Sequence, residues 1–239
     1  MDEKTITEIF EKYKGTYEEA VLLYAHFPIA LDLRPCAQVQ WLDFQPEQKP
    51  NKIDKNPNTG ALILYTWTDE EKEIGNKLGL EYALYWPVIS GERSLSTRRY
   101  YAIPAYNKRL IDLIQNLPDG EENVELHGKL HKYPSCCTNI FTEDAKCHVM
   151  PDIRAQEQLK LAREKSRPVE VFAYFAKGFV PCKPNCEAAT AMGKKIYNTY
   201  ATFNQEIADA YLKFVQMHVN AIENINLKEQ ANQIKELNQ

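Results

Sequence analysis

Two short cysteine segments constrain this chain of 239 residues more than any other feature. The first reads Tyr133-Pro134-Ser135-Cys136-Cys137, and the second Pro181-Cys182-Lys183-Pro184-Asn185-Cys186-Glu187. In each, a residue suited to capping a helix (Ser135, Asn185) follows a proline, and a cysteine stands at the expected first helical position. A helix start offers unpaired N–H groups and partial positive charge, and both favour thiolate over thiol. Two such starts facing each other would hold four thiolates, or an anionic cluster, between two positive poles.

The spacing carries further information. Three residues separate Cys182 from Cys186, which suits two ligands on one ion or cluster. Cys136 and Cys137 are adjacent, and side chains that diverge from neighbouring positions suit different irons of one cluster better than a single zinc. The expectation is therefore a site on Cys136, Cys137, Cys182 and Cys186 holding an iron–sulfur cluster of 4Fe–4S type. Cys137 would be a fourth ligand or a nearby reactive thiol. Zinc is the alternative occupant, and a thiol redox protein without metal is the second alternative. His127 and His131, four apart and so on one helical face, and Cys147 are lesser candidate ligands; hydrogen-bonded or solvated histidines are the plainer reading of the first two. Cys36, in a proline-rich stretch, reads as packing.

The chemistry these residues could support includes redox, sulfur-transfer or RNA-modification reactions, and no substrate motif selects among them. The competing reading is non-enzymatic, a zinc-stapled module that binds protein or RNA. Arg93, Arg98 and Arg99, with Ser94, Ser96 and Thr97, form a basic, hydroxyl-rich segment that could hold a phosphate, although a solvated hairpin is the simpler account. With 9 Gly in the chain, a glycine-rich phosphate cradle is not expected. Net charge is −4, which argues against a generally basic nucleic-acid binder.

Around the cysteines, periodicity predicts an α+β fold, with an N-terminal mixed part carrying a small sheet and a C-terminal, mostly helical part carrying the cysteine site and a long terminal helix. The boundary is placed at 120, dividing 1–120 from 121–239, and the two parts are expected to pack as one unit. Helices are predicted over 5–26, capped by Thr7, over 68–78 with Gly79 as the stop, over 106–117 and over 151–165. Strands are predicted at 39–44, 61–67, 81–89 and 98–103. Residues 169–175 read as an apolar strand or short helix. From Glu187 one apolar stripe (Ile196, Tyr200, Phe203, Ile207, Tyr211, Phe214, His218, Ala221, Ile225) predicts a single helix to about 225, continuing through Leu227, Ala231, Ile234 and Leu237. That stripe would pack on the core or serve a homo-oligomer or protein partner.

The polar start, Met1-Asp2-Glu3-Lys4, has no apolar segment behind it, and no stretch approaches a membrane span, so a cytoplasmic protein without membrane contact is expected. Reduced thiols in such a compartment more often mean metal or catalysis than disulfides.

Tyr-Pro-x-Cys-Cys followed by Ile140 and Phe141, then Pro-Cys-x-x-x-Cys opening a helix, resembles a mainly archaeal family of uncharacterised proteins, domain of unknown function 483. The resemblance covers roughly 127–200 and implies a shared cysteine site. The family's usual small residue before the tyrosine is Lys132 here. A looser similarity is to the cysteine-rich domains of heterodisulfide reductase-like proteins, which also combine adjacent cysteines with a later pair; here no glycine follows Cys137, and that family's activity is not carried across.

Overall fold

The structure, a computed structural model, describes residues 1–41, 52–55, 62–65, 69–86, 88–89, 92–93, 97–104, 106, 121–147 and 149–225. Helix α1 (Glu3–Tyr13) begins where the Asp2 carboxylate accepts the Thr5 N–H at 2.8 Å, and it buries Ile6, Ile9, Phe10 and Tyr13 along one face. It does not run on to residue 26. Gly15 takes φ +79°, a conformation that favours glycine and ends the helix. Helix α2 (Tyr17–Val21), a π-helical turn (Leu22–His26) and α3 (Phe27–Ala30) follow without a gap. Leu22, Leu23, Tyr24, Ala25 and Phe27 are all buried, which explains a segment apolar on every side.

Helix α4 (Asp69–Leu78) ends at Gly79, as its sequence predicts. Beyond the strand region come α5 (Glu121–Leu130), α6 (Ser135–Lys146), α7 (Pro151–Glu164), a 3-10 turn (Val171–Tyr174), α8 (Glu187–Phe203) and α9 (Gln205–Glu223). The single long terminal helix is corrected to two. Asn204 leaves helical geometry (φ −160°, ψ 123°), and its side chain accepts the Glu206 N–H at 2.8 Å, so it closes α8 and caps α9. The two helices pack together, with Tyr200 edge-on to Tyr211 at 5.4 Å. The predicted helix over 106–117 and the continuation beyond 225 lie outside the described residues.

The α+β expectation is overturned, because the protein is mostly helical. Strand-like sequence does form short antiparallel pairings: β1 (Cys36–Trp41), β2 (Lys52–Lys55), β3 (Leu62–Tyr65), β4 (Glu81–Trp86) and β7 (Thr97–Ala102) run in the order β1-β7-β4-β3-β2, and β5 (Val88–Ile89) pairs with β6 (Glu92–Arg93). These strands do not define the fold class, since helices and the turns between them furnish nearly all of the described core. Of the strand side chains described, Cys36, Ala37 and Ala102 are the buried ones. Alternation within a few residues predicts a strand locally, but it does not say how much core the strand will build. Arg93, Arg98 and Arg99 fall on β6 and β7, while 94–96 lie outside the described residues.

The first thirty residues interlock with the last helices. The Tyr200 hydroxyl donates to the Leu23 carbonyl at 2.7 Å, and the Tyr211 hydroxyl to the Phe175 carbonyl at 3.0 Å. Tyr24 stacks on Phe214 at 5.3 Å. No helix among the described residues is long and apolar enough to cross a membrane.

The centre of the apolar stripe of α8 and α9 is taken up by this packing: Ile196, Tyr200, Ile207 and Tyr211 are buried within the single chain, while Phe203, Phe214 and His218 are half-buried and Ala221 is exposed. Ile207→Ala should therefore lower unfolding stability by roughly 2–5 kcal/mol in chemical denaturation, while the elution volume in gel filtration stays unchanged.

Candidate metal centre

The cysteine site is assembled where three pieces of chain meet. Helix α5 ends in a turn in which the Tyr133 N–H donates to the Gly128 carbonyl at 2.9 Å. Lys132 in that turn takes φ +52°. This is the left-handed region, unfavourable for a residue with a Cβ, so glycine would suit this position. Gly128 lets α6 come close to α5: a Cβ at that position would lie 2.3 Å from Thr138 Cγ2. The turn then delivers Pro134, which is the N-cap of α6 with Ser135 as its first helical residue. The predicted cap is thus corrected by one position. Cys136 and Cys137 follow within the first helical turn.

The second segment arrives through the loop after the 3-10 turn. Cys186 is itself the N-cap of α8, in place of Asn185, and its carbonyl accepts the Thr190 N–H at 2.9 Å. Two helix starts therefore do converge on the sulfur atoms. All four Sγ atoms, of Cys136, Cys137, Cys182 and Cys186, lie within 4.8 Å of one another, close enough to bind a metal ion. Cys136 Sγ is 3.9 Å from Cys137 Sγ and 3.7 Å from Cys186 Sγ, and Cys137 Sγ is 3.6 Å from Cys186 Sγ. The adjacent pair does not diverge: both sulfurs approach Cys186 Sγ, although Cys136 is exposed and Cys137 buried.

The site is graded in exposure. Cys137 and Cys186 are buried, Cys182 is half-buried and Cys136 is exposed. Burial, and then the neighbouring Cys182 and Cys186, push the Cys137 thiol up even though the Cys182 backbone N–H donates to its sulfur at 3.4 Å. Burial likewise raises Cys182 to about 11. At Cys186 burial acts the same way but is outweighed by the Ala189 backbone N–H and the three neighbouring thiols, so its pKa falls. Four such sulfurs cannot all be thiolates side by side without a cation among them.

Side chains that the sequence does not announce hold this loop. The Arg154 Nε of α7 donates to the Asp144 carboxylate of α6 at 2.8 Å, an ion pair with 14% and 7% of its side chains exposed. Arg154 Nη1 donates to the Pro181 carbonyl at 3.1 Å, and Gln158 Nε2 to the Cys182 carbonyl at 3.2 Å. The helix bearing Cys136 and Cys137 is thereby tied to the loop bearing Cys182. A helical spacing puts Arg154 and Gln158 on one face, but their partners lie on other elements, so no local pattern reveals the clamp.

The lesser candidates stand apart from the four sulfurs. Cys147 caps the far end of α6, ten residues beyond Cys137 and so roughly 15 Å along a helix axis. His127 and His131 stack at 6.1 Å, and His131 Nδ1 meets Cys36 Sγ at 3.3 Å instead. Burial raises the Cys36 thiol to about 12 against the pull of Arg34, and burial together with Arg34 and His127 holds His131 well below its ordinary value. Both groups are thus neutral, as expected of a packed pair. Arg34, itself buried, donates to the Tyr24 carbonyl at 3.0 Å and the Tyr133 hydroxyl at 3.1 Å. His148 lies outside the described residues.

A family model described as "Protein of unknown function (DUF483)" matches residues 87–212, more than half of the chain and inclusive of all four cysteines. No curated protein and no solved structure matches the chain.

Two variants check the local geometry. Asp144→Asn, which strips the partner from a nearly buried guanidinium, should cost about 3 kcal/mol in urea unfolding. Lys132→Gly should gain up to about 1 kcal/mol in the same assay, because it relieves the left-handed residue.

Proposed function

The chain belongs to the DUF483 family, and on that premise we propose that it is a metal protein in which Cys136, Cys137, Cys182 and Cys186 hold one zinc ion as a tetrathiolate. The observation that carries this reading is the sulfur spacing. A tetrahedron with Zn–S distances of about 2.3 Å has edges of about 3.8 Å, and three of the sulfur–sulfur distances are 3.6, 3.7 and 3.9 Å. A four-iron cluster holds its cysteines at the corners of a larger body, so the same spacing speaks against the 4Fe–4S expectation. A single iron fits the same tetrahedron and is distinguished by metal analysis.

The ion's first role in this reading is structural. Its ligands come from the starts of α6 and α8 and from the loop between, as much as 50 residues apart in sequence. Closing that loop on an ion contributes folding free energy directly, of order 10 kcal/mol. Backbone N–H groups at two helix starts moderate the net negative charge of a zinc tetrathiolate. The reading requires reduced thiols and hence a reducing compartment. It favours the stapled module over the redox protein, since metal-bound thiols are not free to cycle as a dithiol.

Protein purified without added iron is expected to carry one zinc per chain and no acid-labile sulfide. Cobalt substitution should give the intense visible bands of a tetrahedral thiolate site. Cys137→Ser or Cys186→Ser should lose the metal and lower the thermal midpoint, as chelation should. Stoichiometric iron with sulfide would sink the zinc assignment.

A further inference from the structure

We propose that Cys136 is a metal-activated nucleophile that accepts an alkyl group from a soft carbon electrophile while the other three cysteines retain the ion. The proposal rests on the single-ion reading above and adds a chemistry to it.

A metal with four thiolates has no vacant position for a substrate, so any group transfer must occur at sulfur. Four negative sulfurs on one divalent ion leave the site electron-rich, and the metal keeps each sulfur unprotonated near neutral pH. Which sulfur reacts is then a matter of access and hydrogen bonding. Cys137 and Cys186 are buried, with 1% and 2% of their surface exposed. An N–H···S bond draws electron density from sulfur and blunts it as a nucleophile, and Cys137 accepts one from the Cys182 backbone at 3.4 Å. Cys182 is half-buried, in the loop pinned by Arg154 and Gln158. Cys136 is the exposed member. Among the described residues, its sulfur meets those of Cys137 and Cys186 and takes no backbone N–H. The geometry thus gives the reactive role, which sequence alone would lend to Cys137, to its neighbour.

The step balances without a redox partner. A lone pair on Cys136 Sγ attacks a saturated carbon, the S–C bond forms, and the bond to the leaving group breaks with its electron pair going to that group. The thiolate becomes a thioether, so the centre loses one negative charge, and no proton is released.

Methyl iodide serves as the probe, on full-length zinc-loaded protein carrying Cys147→Ser to remove the other exposed thiol. Zinc content is measured first, and adducts are then mapped by peptide mass spectrometry while a chromogenic chelator reports released metal. The expected result is one methyl group on Cys136 with the zinc retained, an adduct rate at least tenfold lower in Cys136→Ser, and loss of site selectivity once the metal is stripped. First adducts on Cys182, Cys137 or Cys186, or release of zinc in step with methylation, would overturn the nucleophile assignment while leaving the zinc site standing. Protein that takes up no zinc would overturn both.

Discussion

Mutual repulsion among four closely placed sulfurs governs the second half of the molecule. Thiols held 3.6–3.9 Å apart, two of them buried, are stable as a neutral cluster or as a metal site, but not as bare thiolates. What brings them together is the meeting of two helix starts, and what keeps them there is a set of contacts remote from the sulfur atoms: the close passage of α5 and α6 at Gly128, the Arg154–Asp144 pair, and hydrogen bonds to the carbonyls of Pro181 and Cys182. Each of these orients a cysteine without touching its sulfur.

The cysteine site was legible because its grammar is local. Proline, a polar residue and cysteine at two separate helix starts predict both the secondary structure and the direction of the thiols, and the error was one residue in each cap. Cys136 and Cys137 were harder to place. Adjacent positions usually splay, yet the two sulfurs stand 3.9 Å apart and both approach Cys186 Sγ, a convergence that neighbour spacing alone does not announce. The histidines were legible only in part. Helical periodicity correctly put His127 and His131 together, but it could not show that Cys36, nearly a hundred residues earlier, takes up the second ring.

The fold was less legible. Stretches such as Leu62–Tyr65 and Thr97–Ala102 do pair as strands, but the weight of the core rests on helices, and local alternation does not measure that weight. The apolar stripe of the last two helices passes smoothly through Asn204 because steps of three and four survive a break there. One asparagine capping the next helix is a weak stop signal compared with glycine or proline, so one long helix was the natural reading of what folds as two.

The interlocking of the N-terminal segment with α8 and α9 bears on how the matched stretch can stand in this chain. Leu23 and Tyr24 lie before the stretch that the family model covers, yet they receive the hydroxyl of Tyr200 and the ring of Phe214. Cut at residue 87, the chain would lay bare aromatic surface beside the very helix that carries Cys186. In this chain the matched stretch is therefore not a self-sufficient body, because Leu22–Phe27 fill the hollow against which its last helices close.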